Sequence, residues 1–271
     1  NAKEPKIKIM LEKIQLTEDV FDIIELCSQI ELLDPKYFRA DLDKAEAYVR
    51  LEHFKNAEKC FKNAIKKSDG KSDISLSHYG YFLETQSRYE ESLDYFNRAL
   101  EINGNNGFVW DSKGDVLQKL QRNLEAIKCH DRAMSVGTNL EWSWISKGTA
   151  WRNLGEDTEA IICFKEALEI NKNNPKAWFE MGMASWGLSE QDNTLKFFDE
   201  ALEIDENNVQ AWGTKGNALS KLGRHEEALV CYDRILQIDE NNVGAWNDKG
   251  IMFPDIGRHE EALVCFDRVL Q

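Results

Sequence analysis

Proline is scarce in this 271-residue chain, at 4 residues, and glycine stops at 16, which leaves little material for a β-rich fold with many tight turns. No stretch approaches the ~20 consecutive apolar residues of a membrane-spanning helix. Basic residues are outnumbered, 34 Lys and Arg against 48 Asp and Glu, for a formal net charge of −14. That deficit excludes a broad phosphate-binding face, so neither nucleic acid nor an anionic membrane surface is expected as a partner. A basic protein partner, by contrast, is steered in favourably. The opening Asn1-Ala2-Lys3-Glu4-Pro5 has no apolar signal segment and no initiator Met. It reads as a fragment or a processed product from which a targeting signal could have been cut, with a cytoplasmic location as the default.

The motifs of common chemistries are missing too. There is no phosphate loop ending in Gly-Lys-Ser/Thr, no Gly-x-Gly-x-x-Gly, no His-Glu-x-x-His and no Cys-x-x-Cys. The abundant carboxylates are interleaved with lysines and arginines, the pattern of solvated helix faces. No catalytic residue, metal ligand or cofactor is expected, and the chain is read as a non-enzyme. Hydrophobic residues at 42% and charged residues at 30% fit a folded chain rather than a disordered one.

What is present is a period. Trp110, Trp144, Trp178, Trp212 and Trp246 stand 34 residues apart. Four residues after each comes a glycine: Gly114, Gly148, Gly182, Gly216 and Gly250. Sixteen residues after each comes a small residue (Ala126, Ala160, Thr194, Ala228, Ala262), and four further on a ring (His130, Phe164, Phe198, Tyr232, Phe266). Within one period, apolar residues recur at helical spacing in two runs separated by a turn such as Gly155, so each period predicts two antiparallel helices. The glycine inside the first helix predicts a close approach of the second at the small residue. The tryptophan and the ring are expected to fill the space between hairpins, and stacking of neighbours to supply the stability. Pro254 should break or kink the helix that contains it.

These columns resemble the tetratricopeptide repeat family, whose 34-residue signature runs Trp-x-x-Leu-Gly-x-x-Tyr, then Ala-x-x-x-Phe. The resemblance implies an all-α fold, a right-handed superhelical solenoid of stacked antiparallel helix pairs. The expected organisation is a single solenoid over 1–271. Its units are 4–37 (degenerate), 38–72 (loose), 73–106, 107–140, 141–174, 175–208, 209–242 and a truncated 243–271. Where the family has leucine before the glycine, this chain has Lys113, Lys147, Lys215 and Lys249, which marks a rim where the stem packs and the ammonium reaches water.

The period also interprets the cysteines and histidines. Cys60, Cys129, Cys163, Cys231 and Cys265 share one repeat position, and Cys27 lies one residue off it. Equivalent helices of neighbouring hairpins pack roughly 8–10 Å apart, beyond the ~7 Å limit for a disulfide. Buried thiols in a reducing compartment are expected. His225 and His259 both sit in Gly-Arg-His-Glu-Glu-Ala, a structural duplication, and His130 stands in for a core ring.

In the resembled family the first helix of each pair lines the concave surface through positions two, five, six, nine, twelve and thirteen. Carried over, this places Asp111 and Asp115, then Trp142, Ile145 and Thr149, then Phe179, Met183 and Trp186, then Asn217 on the expected partner-binding groove. Trp142, Ile145, Phe179, Met183 and Trp186 would make an apolar patch with Asp111, Asp115 and Glu180 at its borders, suited to a protein or peptide segment with apolar anchors and basic residues. Two outcomes stay open: the patch receives such a segment, or Trp142 and Trp186 are packed between neighbouring hairpins. The family's chaperone-tail clamp is not reproduced, since Asn217 matches but Gly213 occupies the place of its lysine. Alternatives to a scaffold are an assembly module self-associating through the uncapped C-terminal end, and a regulatory arm of a longer enzyme.

Overall fold

A computed structural model describes residues 3–137 and 140–270. These contain sixteen α-helices and no strand. The helices fall into two compact units, Asn1–Asn139 and Leu140–Gln271.

In the first unit α1 (Lys3–Leu16) and α2 (Val20–Leu33) precede three pairs: α3 (Phe38–Arg50) with α4 (Phe54–Lys67), α5 (Asp73–Thr85) with α6 (Tyr89–Ile102), and α7 (Gly107–Lys119) with α8 (Asn123–Ser135). The first helices of successive pairs touch, α3 with α5 and α5 with α7. A partly buried ion cluster ties α2, α3 and α4 together. Lys67 Nζ lies 2.6 Å from Asp41 Oδ2 and 3.3 Å from Glu31 Oε1, and Lys44 Nζ 3.2 Å from Glu31 Oε2. Asp41 is only 1% exposed, and that burial, opposed by Lys67, pushes its carboxyl up to about 6.

The second unit holds four pairs: α9 (Leu140–Asn153) with α10 (Asp157–Ile170), α11 (Pro175–Gly187) with α12 (Gln191–Ile204), α13 (Val209–Lys221) with α14 (His225–Ile238), and α15 (Val243–Asp255) with α16 (His259–Val269). The paired asparagines of the linkers start the first helices. Asn174, Asn208 and Asn242 accept at Oδ1 from the backbone N–H three residues on, at 3.1, 2.9 and 2.9 Å, satisfying a donor that the helix leaves open. Asn106 does the same in the first unit.

The glycine column does its work against the ring column. A Cβ built at Gly148 would stand 2.6 Å from Phe164 Cε1, and at Gly80 2.6 Å from Phe96 Cε1. The small residue does meet the glycine, since Ser92 Oγ donates to Gly80 O at 2.8 Å, but the space left by the missing side chain belongs to the ring. Phe96, Phe164 and Phe198 are fully buried.

The tryptophan column behaves differently from expectation. Trp110, Trp178, Trp212 and Trp246 are half-buried, and each indole Nε1 donates at 2.8–2.9 Å to a backbone carbonyl six residues upstream, Gly104, Lys172, Glu206 and Glu240 respectively. One edge of the ring thus fastens the preceding linker while the rest packs on the core. The rim lysine lies over it, with Lys215 Nζ 5.4 Å from the Trp212 ring centre and Lys249 Nζ 5.6 Å from that of Trp246. The same ammonium groups pair with Asp199 on α12 and Asp233 on α14, so the expected water-reaching rim is an ion pair between consecutive hairpins. Pro254 does not break its helix. It sits in the last turn of α15, which continues to Asp255 and keeps the 13-residue length of α11 and α13.

Candidate functional site

The first helix of each pair carries the expected groove positions, and burial sorts them sharply. Position five faces inward in five consecutive repeats: Leu42, Ser77, Asp111, Ile145 and Phe179 are all buried. Three residues expected on the groove are therefore corrected. Ile145 is 1% exposed and lies in the core with Phe164 and Met181, and Phe179, at 9%, stacks on Phe198 with ring centres 5.7 Å apart. Asp111, at 6%, is directed at a buried histidine. The physical reason is that in these five repeats position five points between the first helix and the core; at Asn247 of the last repeat the same position is only half-buried.

Most of the other positions stay at least half-accessible, although Ser146 at position six is buried. In the second unit, Trp142 at position two is 43% exposed. Position nine supplies Thr149 and Met183, half-buried, and Asn217, exposed. Thr149 Oγ1 donates to Ile145 O at 3.0 Å, and Asn217 Oδ1 accepts from Tyr232 OH at 2.8 Å, which fixes both side chains. Position twelve supplies Trp186, half-buried, and Arg152, whose Nε lies 3.1 Å from Glu180 Oε2 on the neighbouring first helix. Each open tryptophan is topped by a lysine: Lys176 Nζ lies 4.4 Å from the Trp142 ring centre and Lys221 Nζ 5.9 Å from that of Trp186. With Ile145 and Phe179 buried, the apolar residues left on this face are Trp142, Met183 and Trp186. Lys176, over Trp142, and Trp186 stand ten residues apart on α11, roughly 15 Å at a rise of 1.5 Å per residue.

The first unit presents a different surface. His130 is fully buried beneath α7, with Nδ1 3.0 Å from Asp111 Oδ1, Nε2 3.0 Å from Gln118 Nε2 and 3.8 Å from Asp115 Oδ1. A ring that donates from Nδ1 to the carboxylate and accepts at Nε2 from the amide satisfies both nitrogens. The substituted core ring therefore also organises polar groups on α7. Counting the same positions into the looser repeats adds residues that attention to the strongest repeats had passed over: Asp43 and Glu46 on α3, and His78, Tyr81 and Glu84 on α5. His78 Nδ1 lies 2.8 Å from Glu46 Oε1. Burial first, then the Asp115 charge, with Lys119 opposing, pushes Glu84 up to about 7. Burial, then Glu46, opposed by His78 and Arg39, pushes Asp43 up to about 6.

The six cysteines are buried free thiols. Burial pushes Cys27 up to about 12, and Cys129 and Cys231 to about 11, so the nucleophilic thiolate is scarce at neutral pH. Among the described residues no group of three or more His, Cys, Asp or Glu side chains is placed to hold a metal ion. Among the described residues no helix is long and apolar enough to cross a membrane.

Profiles of the tetratricopeptide repeat match residues 42–107, 143–174, 175–208 and 209–242. No curated protein matches the chain by sequence. Among solved structures, a tetratricopeptide repeat protein from Parabacteroides merdae superposes with a TM-score of 0.69 at 14% identity, over 86% of this chain and 92% of its own. PilF from Pseudomonas aeruginosa gives 0.63 at 14% identity, over 77% and 94%. YrrB, described as a tetratricopeptide repeat protein with an unusual peptide-binding site, gives 0.52 at 22% identity, over 68% and 95%. At these identities the likeness is one of fold.

Proposed function

We propose, from the premise that this chain belongs to the tetratricopeptide repeat family, that it is a protein-interaction scaffold whose second unit holds an extended segment of a partner by two apolar anchors. The observation that carries this reading is Trp142, a large aromatic side chain left 43% exposed on the first-helix face, with Trp186 and Met183 further along the same face. Stacking of hairpins does not require an aromatic residue there, and exposed aromatic anchors dominate binding energies at interfaces. The rise of roughly 15 Å along α11 from Lys176, over Trp142, to Trp186 corresponds to about four or five residues of extended chain. The ligand is therefore a segment with two apolar side chains at that interval. Thr149 and Asn217 flank its path, and the Arg152–Glu180 pair keeps the middle of the face neutral. On the first unit, taken by itself, the carboxylates of Asp115 and Glu84 favour basic residues of a partner. The protein acts by holding a partner rather than by catalysis.

The test is affinity capture with the intact chain against a Trp142→Ala plus Trp186→Ala variant, both checked for helical content. Loss of two anchors should lower recovery of the specific partner at least about tenfold. Equal recovery by two folded proteins would remove these residues from the site.

A second reading, self-association, has its own observation: α16 turns Leu263 and Val264 to solvent. Light scattering over a wide concentration range separates the two, because a monomer at every concentration rules the second out.

A further inference from the structure

A cleft of about 310 Å³ opens in the first unit where α1, α3 and α5 meet. Four aliphatic side chains line it, Leu11 and Ile14 from α1, Leu42 from α3 and Ile74 from α5, together with Gln15, Tyr37 and the charged or titratable Arg39, Asp43 and His78. Into this surround α3 places the carboxylate of Asp43. No hydrogen bond or ion pair engages that carboxylate among the described residues, although two cationic candidates lie nearby. His78, on the cleft wall, is taken by Glu46 at 2.8 Å. Arg39, also on the wall, forms no ion pair with it. A carboxylate partly enclosed by apolar side chains and paired with no cation at close range is disfavoured in its ionised form; burial and the Glu46 charge raise its pKa to about 6 against the weaker pull of His78 and Arg39. The expense is removed by a cation brought in from outside.

The geometry points to this cleft as the receptor for one basic side chain, lysine or arginine, of a protein partner, with the methylene stem between Ile14, Leu42 and Ile74 and the terminal charge on Asp43. Apolar walls alone would accept any aliphatic group, and a carboxylate alone would be a solvated surface charge. Together they match a side chain that is greasy along its length and charged at its tip. The inference stands on the first unit only and shares no residue with the Trp142 and Trp186 anchors, so either can fail without the other.

The experiment is methyl-detected NMR of the intact chain labelled at isoleucine and leucine methyls. It is titrated with Nα-acetyl-lysine N-methylamide, its neutral norleucine counterpart and its glutamate counterpart. The expected result is saturable movement of the Ile14, Leu42 and Ile74 methyls by the lysine probe, at least about tenfold tighter than by norleucine, and weaker as salt is raised. Asp43→Asn should abolish the preference for lysine while leaving methyl signals of the second unit in place. Arg39→Gln, which removes a competing charge, should tighten lysine binding. The proposal is overturned if norleucine binds as well as lysine, if glutamate binds best, or if nothing saturates. It is equally overturned if Arg39→Gln weakens the lysine probe, or if the shifts follow protein concentration alone, the sign of a second copy in the cleft.

Discussion

The two units are built from one repeat and spend it differently. In the second, the first-helix face presents indoles capped by lysines, and its central charges, Arg152 and Glu180, neutralise each other across neighbouring helices. In the first, the equivalent of Trp186 is Glu84 and the equivalent of Glu180 is Asp43, carboxylates that burial and neighbouring acids keep above the ordinary range, while Phe108 stands exposed at the position of Trp142 and a partly buried ion cluster around Asp41 lies in the same unit. The connecting turns differ as well. The second unit places glycine at three of its left-handed turn positions, Gly155, Gly223 and Gly257, with Ser189 at φ 61° in the fourth, whereas the first uses Glu52, Ser87 and Gln121 at φ of 57–61°. A common scaffold thus leaves surface chemistry and local strain free to vary independently of the core.

The largest expected difference lies in the charges. Replacing Lys67 by methionine would strand Asp41 without its ion pair, and the first unit should lose about 3 kcal/mol. Lys215→Met, whose partner Asp199 is half exposed, should cost the second unit less than about 1 kcal/mol. Amide hydrogen exchange in the intact chain reads each unit separately, and equal losses would mean that the cluster is no more buried in effect than the rim pair.

Acidity should divide the units next. Asp43 and Glu84 titrate near 6 and 7 when folded, against ordinary values of 3.8 and 4.5. Between those limits the folded form holds protons that the unfolded chain has shed, so stability is complete below the ordinary values and declines as pH rises through the folded ones. Asp41 runs in the same direction. Glu58, held down to about 2 by Lys62 and Arg88, acts oppositely but only below its ordinary 4.5. Lowering the pH from 7 to 5 should therefore stabilise the first unit by roughly 1–2 kcal/mol after allowance for solvent screening. In the second unit the raised carboxylate is Asp248, and a smaller gain is expected. Exchange at both pH values, corrected for intrinsic rates, decides it, and a first unit that loosens on acidification would contradict the assigned burial.

The smallest difference is in the turns. Gln121→Gly should stabilise the first unit by about 1 kcal/mol by relieving a left-handed side-chain conformation, and Gly155→Gln should cost the second a similar amount. Chemical denaturation of the two single variants measures both. A destabilised Gln121→Gly would show that its side chain contributes contacts outweighing the strain.

The fold was legible because four columns, Trp, Gly, a small residue and a ring, each demand the same 34-residue spacing. The site was legible only in part. Position counting put Trp142, Met183 and Trp186 on one face, where Trp142 is exposed and Met183 and Trp186 are half-buried against the core, but it treated position five as equivalent to position two. Which side of a helix is covered depends on the neighbouring hairpin, and a single repeat of sequence does not carry that information. Hence Ile145 and Phe179 were assigned to a surface they support from beneath. Asp43 and Glu84 were overlooked for another reason: the repeats that carry them lack the tryptophan that made the later ones conspicuous, although the helix positions are the same.

The indole that fastens each linker has a practical corollary. Trp110 is the sole tryptophan of the first unit, while seven lie in the second, and six of the seven tyrosines lie in the first. Emission excited at the red edge of the absorption band therefore reports chiefly on the second unit, and the phenol signal chiefly on the first. Two optical channels consequently watch the two halves of one unlabelled molecule, so a melt in which they part company would reveal independent unfolding without cutting the chain.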